Sequence, residues 1–147
     1  ACNIDPKQLA LLAFGGMVHD IGKIYVPSEF LNKPGILSET EFTLIKQHPE
    51  VGYEILSTVD FKWPISDIVR QHHEKLDGSG YPQGLKSGEI LEEAQILSIC
   101  DTYDAMVSHR PYRAALSLEE ARKYLNKNRN TQYNAEIVDT FLGIVNA

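Results

Sequence analysis

The chain carries two adjacent histidines followed at once by a loop with two glycines, a tyrosine and a proline: His72-His73-Glu74-Lys75-Leu76-Asp77-Gly78-Ser79-Gly80-Tyr81-Pro82. Imidazole is the commonest metal ligand in proteins, and adjacent residues on a helix point about 100° apart. The histidine pair can therefore serve two neighbouring ions, or one ion and its surroundings. The glycines let the chain fold back towards the histidines and present Tyr81 on a loop rather than in the core. The alternative is a surface His-His pair that ends a helix before an ordinary turn.

The composition is that of an ordinary globular domain, with 147 residues of which 43% are hydrophobic and 23% charged. No apolar run reaches the roughly 20 residues of a membrane span, and no signal peptide is visible. The formal net charge of −6 argues against a DNA or RNA binder, which would show a basic face. Two cysteines without a CxxC pair predict a reducing, cytoplasmic location. Because the chain lacks an initiator Met, we expect it to be part of a longer protein.

Apolar periodicity predicts helices along the whole chain and no strand, so the predicted fold class is all-α. Helix starts are indicated by Asp-Pro, by single prolines and by capping boxes, at positions 5–6, 38–41, 49, 64 and 117–120. A short helical turn is expected at 28–31, a long buried helix over 91–107 and a final helix over 134–146. We expect about six to seven helices in total.

Candidate metal ligands recur at the ends of these predicted helices: His19, Asp20, His48, His72, His73, and Asp101 with Asp104. Mixed imidazole and carboxylate ligation suits iron, manganese or zinc better than calcium, which prefers oxygen alone. Asp101 follows an apolar run, and a buried carboxylate needs a cation or a donor partner. The alternative for Asp101 is an ion pair with an arginine such as Arg110. The alternative for His48 is an ordinary helix-end histidine.

These residues lie in blocks that resemble the HD superfamily of metal-dependent phosphohydrolases, beginning with His19-Asp20-Ile21-Gly22-Lys23. The combination with His72-His73-Glu74 and Gly80-Tyr81-Pro82 resembles the HD-GYP subfamily, bacterial phosphodiesterases that degrade cyclic di-GMP. The segments 101–106 and 110–113 are similar to the next block of that family. The resemblance extends from about residue 9 to residue 141. It implies an HD-domain-like helical bundle with a metal centre in its core.

The resemblance also implies roles for individual residues. A centre of two or three transition-metal ions would be held by His19, Asp20, His48, His72, His73 and Asp101. Asp20 would bridge the ions and, with Lys23, act in catalysis. Lys23 would contact the scissile phosphate, against the alternative of an ordinary solvated lysine. Iron or manganese is the expected metal, with magnesium, nickel and zinc as alternatives.

The substrate groove is assigned by the same resemblance. Asp104, Arg110 and Arg113 would lie beside the substrate, where the arginines offer phosphate contacts or stack on guanine. Tyr81 would shape the groove within the loop motif of Gly80, Tyr81 and Pro82. In the family this loop is also associated with binding diguanylate cyclase (GGDEF) domains.

The reaction implied is hydrolysis of cyclic di-GMP to linear pGpG, to GMP or to both, in signal transduction. An upstream receiver or sensor domain, as in response regulators, is the expected source of control. Two alternatives stay open: a hydrolase of the HD superfamily that acts on another nucleotide, and a non-catalytic module that binds cyclic di-GMP or a cyclase. A purely structural helical domain would leave the coincident ligand positions unexplained.

The chain departs from the family pattern at one place. HD-GYP domains resemble one another in an earlier helix that supplies a Glu and a His as further ligands, but no histidine precedes His19. We therefore expect residues 1–147 to form an HD-GYP domain without its N-terminal helix or its upstream regulatory domain. The metal site would then lack one ion or be partly open.

Overall fold

The computed structural model describes residues 6–109 and 114–145, and the regular structure in these ranges is helical. The α-helices are α1 (Pro6–Val18), α2 (Ser28–Leu31), α3 (Glu39–Ile45), α4 (His48–Leu56), α5 (Ile65–Gln71), α6 (Glu92–Val107), α7 (Leu118–Lys127) and α8 (Ala135–Ile144), and a 3₁₀ helix at Ile21–Tyr25 joins α1 to α2. The predicted all-α class is confirmed. In these ranges α2 is a single turn, and the other seven helices match the expected number. No described helix is long and apolar enough to cross a membrane.

The helix starts follow from the local sequence. At Ser38 the hydroxyl accepts from the N–H of Glu41, and the Glu41 carboxylate accepts from the N–H of Ser38. The same reciprocal pair joins Ser117 and Glu120 at the start of α7. Both predicted capping boxes are thus confirmed. The expected cap at Asp5 lies outside the described residues.

The sequence indicates a helix start at Pro49, with the helix over 50–57, whereas α4 begins earlier, at His48. Pro49 stands inside the first turn, where proline is tolerated because a first-turn N–H has no partner within the helix. His48 is therefore held in the helix itself and not in the chain that leads to it. This places its side chain on a fixed backbone.

The core has two parts that meet at α6. One part packs α1, α4 and α5 on the first half of α6, with the buried residues Leu11, Leu56, Ile65, Ile68, Val69, Ile90, Ala94 and Leu97. The other packs α7 and α8 on the second half, with Ile99, Leu125, Tyr133, Val138 and Leu142. Burial of each large apolar side chain contributes about 1.5–3 kcal/mol before entropy costs. The helix that carries Asp101 therefore contributes to both parts of the core.

Two close backbone approaches position the elements around the candidate ligands. Gly22, in the 3₁₀ helix, packs directly on α4. A Cβ atom there would overlap the carbonyl oxygen of His48 and lie 2.7 Å from the N of Gly52. The second contact joins α5 to α4, where Arg70 donates to both carboxylate oxygens of Glu50 at 2.8 and 2.7 Å. The 3₁₀ helix, α4 and α5 are thus fixed relative to one another.

Candidate metal centre

The candidate ligands come from four chain segments that converge on one place in the fold. His19 and Asp20 directly follow α1, and His48 is the first residue of α4. His72 and His73 directly follow α5, and Asp101 lies within α6. Helix ends supply most of the set because the side chains there can turn into the space between helices.

Two groups of three ligand atoms lie close enough together to hold an ion. One group is His48, His72 and His73, and the other is His19, Asp20 and His72; the atoms within each lie within 4.8 Å of one another. His72 belongs to both groups and is fully buried. The two groups therefore form a single cluster.

Asp101 closes the cluster on the side of α6. Its Oδ1 lies 3.8 Å from Nε2 of His19, and its Oδ2 lies 4.0 Å from Nδ1 of His73. Its described partners are thus histidines. The alternative pairing with Arg110 falls outside the described residues. The structure brings all six predicted ligand residues together.

Three of the four clustered histidines have their ring orientation fixed by the backbone. Each Nδ1 hydrogen-bonds the carbonyl oxygen three residues earlier: His19 to Gly16 at 2.7 Å, His48 to Ile45 at 2.7 Å and His72 to Val69 at 2.5 Å. A carbonyl oxygen can only accept, so Nδ1 carries the proton and Nε2 of a neutral ring carries the lone pair. This arrangement is the usual one for histidines that ligate through Nε2.

The donor set fits a divalent cation on two observations. The Nε2 atoms of His48 and His72 lie 3.3 Å apart with their lone pairs directed into the same space, which favours a cation between them. Oδ1 of Asp20 is buried without a hydrogen-bond partner, 3.4 Å from Nε2 of His48. An unpaired buried carboxylate oxygen is costly, and a metal ion would remove that cost.

The protonation states also suit metal binding. Burial lowers the pKa of His48, and it lowers the pKa of His72 to about 3. Burial and the neighbouring His72 lower the pKa of His73. The pKa of His19 is instead raised, first by the neighbouring Asp101 carboxylate. At neutral pH the rings of His48, His72 and His73 are therefore neutral, which is the form that binds metal.

Without metal, the free energy of unfolding is expected to fall as the pH is lowered from 7 to 5. The pKa values of His48, His72 and His73 lie below the ordinary 6.5 in the folded chain. The unfolded chain then binds more protons than the folded chain as the pH falls through 6.5, so acid favours unfolding. The raised pKa of His19 has the opposite effect on the free energy of unfolding, but the three lowered pKa values outweigh it. Urea unfolding with a chelator present measures this difference, and equal or greater stability at pH 5 would contradict it.

Two predicted functional residues lie against the cluster. Lys23, on the 3₁₀ helix, places its Nζ 2.6 Å from Oδ2 of Asp20, so it is a paired lysine and not a solvated one. Tyr81 stacks on the ring of His73, with centroids 4.7 Å apart and planes 30° apart. Tyr81 lies on a loop outside the two core clusters, as expected, and burial of its packed ring raises its pKa.

Of the remaining predicted substrate residues, Asp104 lies within the described ranges. Asp104 lies on α6 and is exposed, and its Oδ1 accepts a hydrogen bond from the hydroxyl of Ser108 at 3.3 Å. Arg110 and Arg113 lie outside the described residues.

Sequence reasoning assigned no role to Glu74 and Lys75, which follow the histidine pair. Glu74 is 3% exposed and accepts hydrogen bonds from the chain at 83–85. Lys75 donates to Ser98 and Tyr133 at 3.0 Å each, and burial lowers its pKa to about 8. The available signal was that both residues directly follow two histidines. Glu74 bonds to backbone N–H groups and Lys75 to hydroxyls far along the chain, and such contacts leave no pattern in the sequence.

Lys46 is a further cation near the cluster that the sequence did not single out. Its Nζ lies 4.8 Å from the ring centroid of Phe42 and 5.3 Å from that of Tyr81. Through Tyr81 it is one side chain removed from His73.

Comparison with known proteins agrees with this geometry. A family model described as HD domain matches residues 1–137. The chain is 44% identical over 135 residues to a Thermotoga maritima protein named cyclic di-GMP phosphodiesterase, covering 89% of this chain and 36% of the relative. It is 38% identical over 141 residues to the Xanthomonas campestris cyclic di-GMP phosphodiesterase response regulator RpfG, covering 95% and 37%. It is 42% identical over 118 residues to the Vibrio cholerae 3'3'-cGAMP-specific phosphodiesterase 1, covering 80% and 27%.

Two solved structures share the fold. Bd1817, an HDG"Y"P protein from Bdellovibrio bacteriovorus, superposes with a TM-score of 0.78 at 24% identity, covering 98% of this chain and 46% of that one. A cyclic GMP-AMP-specific phosphodiesterase of V. cholerae gives a TM-score of 0.69 at 15% identity, covering 98% and 40%. The chain therefore belongs to the HD domain family, and the predicted HD-GYP assignment is confirmed. It spans about a third of the length of the curated relatives it matches.

Proposed function

We propose that the chain is the catalytic part of a metal-dependent phosphodiesterase that hydrolyses cyclic di-GMP to linear pGpG, GMP or both. The observation that carries the proposal is the geometry of the cluster. Its two groups of candidate ligands have His72 in common, and Oδ1 of Asp20 is buried there without a hydrogen-bond partner. The names of relatives that are 38–44% identical support the substrate class. A cluster of this kind suits hydrolysis of a phosphodiester, which needs a nucleophile and positive charge at one place.

We propose a centre of two or three ions held by His19, Asp20, His48, His72, His73 and Asp101. Asp20 has one oxygen 3.4 Å from His48 and the other 3.4 Å from His19, a placement that suits a bridging carboxylate. Imidazole with carboxylate favours iron or manganese, with zinc, nickel and magnesium as alternatives. When bound, such ions supply an activated water as nucleophile and positive charge for the phosphoryl oxygens.

The residues of the chain would bind and orient the substrate around that centre. Lys23 would contact the scissile phosphate and stabilise the negative charge that develops on its oxygens. The pairing of its Nζ with Asp20 supports this role, because it holds the ammonium at the edge of the cluster. Tyr81 would form one wall of the groove, and Asp104, Arg110 and Arg113 would contact the rest of the dinucleotide.

Replacing Lys23 with alanine is expected to lower kcat by roughly 10²–10³-fold, the range for removal of one group that stabilises transition-state charge. The measurement is steady-state turnover of cyclic di-GMP by the metal-loaded protein. Lys62→Ala is the matched control, since Lys62 is an exposed lysine between α4 and α5. Normal turnover by Lys23→Ala would exclude the role given to Lys23.

A second candidate substrate is a mixed cyclic dinucleotide. A relative 42% identical to the chain is named a 3'3'-cGAMP-specific phosphodiesterase, which favours testing this nucleotide directly. Parallel assays with cyclic di-GMP and 3'3'-cGAMP at equal concentration distinguish the two by kcat/KM. Binding of either nucleotide without product would instead favour a regulatory module.

We also propose that an upstream receiver or sensor domain controls the activity, as the name of the response-regulator relative suggests. Contact of the loop at Gly80, Tyr81 and Pro82 with GGDEF domains belongs to the same proposal. A cytoplasmic location and a single HD-GYP domain over residues 1–147 stay predictions.

A further inference from the structure

Glu74 is a buried carboxylate that is satisfied by the backbone alone. Its side chain is 3% exposed, and among the described residues it forms no ion pair. Oε1 accepts from the N–H groups of Gln83 at 2.6 Å and Gly84 at 3.2 Å, and Oε2 accepts from Leu85 at 2.9 Å. Hydrogen bonds to an ionised acceptor are about twice as strong as neutral ones. One side chain thus holds three consecutive residues of the returning loop.

The loop between Glu74 and Leu85 is closed tightly around this carboxylate. A Cβ atom on Gly80 would overlap Cα of Glu74 and N of Lys75, so the loop backbone touches the chain beside Glu74. The N–H of Tyr81 donates to the carbonyl oxygen of His73 at 3.3 Å. Two sets of hydrogen bonds therefore hold the loop. The backbone N–H of Tyr81 bonds to His73, and the N–H groups of residues 83–85 bond to Glu74.

His73 differs from the other three clustered histidines in how its ring is held. His19, His48 and His72 each donate Nδ1–H to a backbone carbonyl, whereas Nδ1 of His73 faces Oδ2 of Asp101 at 4.0 Å, beyond hydrogen-bond distance. The face of the His73 ring is instead covered by Tyr81 at a centroid distance of 4.7 Å. Its orientation therefore depends on where the loop places Tyr81.

We propose that Glu74 is a positioning residue for the metal centre: it holds the loop that keeps Tyr81 against His73, and so orients the one clustered histidine that no backbone carbonyl of the described residues anchors. The proposal rests on the metal site proposed above. Within residues 6–109 and 114–145 the side chain of Glu74 hydrogen-bonds the loop backbone and none of the candidate ligands, so it acts only through the loop. Its loss should therefore affect the ion held by His73 and leave the ion on the His19 side nearly unchanged.

The test is a calorimetric titration of the metal-free protein with Mn²⁺, using wild type, Glu74→Gln and Glu89→Gln. Glutamine keeps the size of the side chain but turns an amide NH₂ towards backbone N–H groups. Glu89 is the control, because it accepts one N–H from Lys86 at 2.7 Å in the same loop but is exposed. We expect Glu74→Gln to weaken one Mn²⁺ binding step by about 10–100-fold, the usual effect of residues that support a ligand, with the other step within about 2-fold. Glu89→Gln should bind as wild type does.

A second readout needs no metal. The ring resonances of His73 in the metal-free protein should shift and broaden in Glu74→Gln, while those of His19 and His48 stay in place. If wild type bound no Mn²⁺, the proposed metal function would fail, but this comparison would still decide whether Glu74 orients His73. Unchanged His73 resonances together with unchanged binding would overturn the proposal. Equal weakening of both binding steps with a lower Tm would also overturn it, since that result describes general destabilisation.

Tyr81→Ala covers the case in which Glu74→Gln does not fold. It removes the ring that covers His73 and leaves the three hydrogen bonds of Glu74 intact. The same selective loss of one Mn²⁺ step is expected. Wild-type binding of both ions by Tyr81→Ala would contradict the link between the loop and His73.

Discussion

Gly22→Ala is expected to lower the free energy of unfolding by at least about 3 kcal/mol and to abolish metal binding, because a Cβ atom at Gly22 would overlap the carbonyl oxygen of His48. Backbone atoms cannot move aside as a flexible side chain can. The 3₁₀ helix would have to separate from α4, taking Asp20 and Lys23 away from His48. Thermal unfolding should show a fall in Tm of roughly 6–12 °C for a domain of this size.

Gly16→Ala is the matched control for this prediction. Gly16 lies inside α1, where a Cβ atom would meet Cδ1 of Leu97 at an ordinary 3.9 Å. Alanine favours a helix interior by about 1 kcal/mol over glycine, so the Tm should stay the same or rise. A Gly22→Ala protein as stable as Gly16→Ala, with its metal content intact, would contradict the close approach described here.

Asp20→Asn is expected to lower kcat for cyclic di-GMP by about 10³-fold or more. The substitution keeps the shape of the side chain but removes the charge that the proposed ions share, and losses at residues that only support ligands already reach about 10²-fold. Metal content per chain should fall together with activity. Metal analysis and turnover on the same sample measure both.

Folding should be nearly unaffected by Asp20→Asn when metal is absent. Oδ1 of Asp20 is buried without a hydrogen-bond partner, so removing the charge removes an unfavourable desolvation energy. The same substitution also removes the favourable ion pair with Lys23. These effects offset each other to within about 1 kcal/mol. Asp60→Asn, a change at an exposed aspartate, is the control and should retain both metal and turnover. Full activity in Asp20→Asn would contradict a bridging role.

The helices could be predicted because their signals are local. Ser38 and Ser117 each stand three residues before a glutamate, and the turn at 28–31 lies where it was expected. The start of α4 could not be placed, because Pro49 is compatible with either the first or the second helical position. The choice depends on how His48 packs against the 3₁₀ helix, which is a tertiary effect.

The candidate ligands could be predicted because histidines and aspartates at helix ends form a recognisable pattern. The contacts that hold these side chains in place could not be predicted. The contact of Gly22 with His48 joins two segments 26 residues apart, and Glu74 binds backbone N–H groups that every sequence possesses. The packing of Tyr81 on His73 depends on that loop geometry, which a sequence pattern does not show. Sequence reasoning therefore named the residues that cluster and missed the contacts around them.

Hydrolysis of cyclic di-GMP by the chain, reconstituted anaerobically with Fe²⁺ or Mn²⁺, tests the proposed function most directly. Products should be separated by chromatography, with bound metal counted on the same sample. We expect at least two ions per chain and formation of pGpG, GMP or both, lost on chelation and in Asp20→Asn. A chain that binds two ions and leaves cyclic di-GMP intact would contradict the proposed activity.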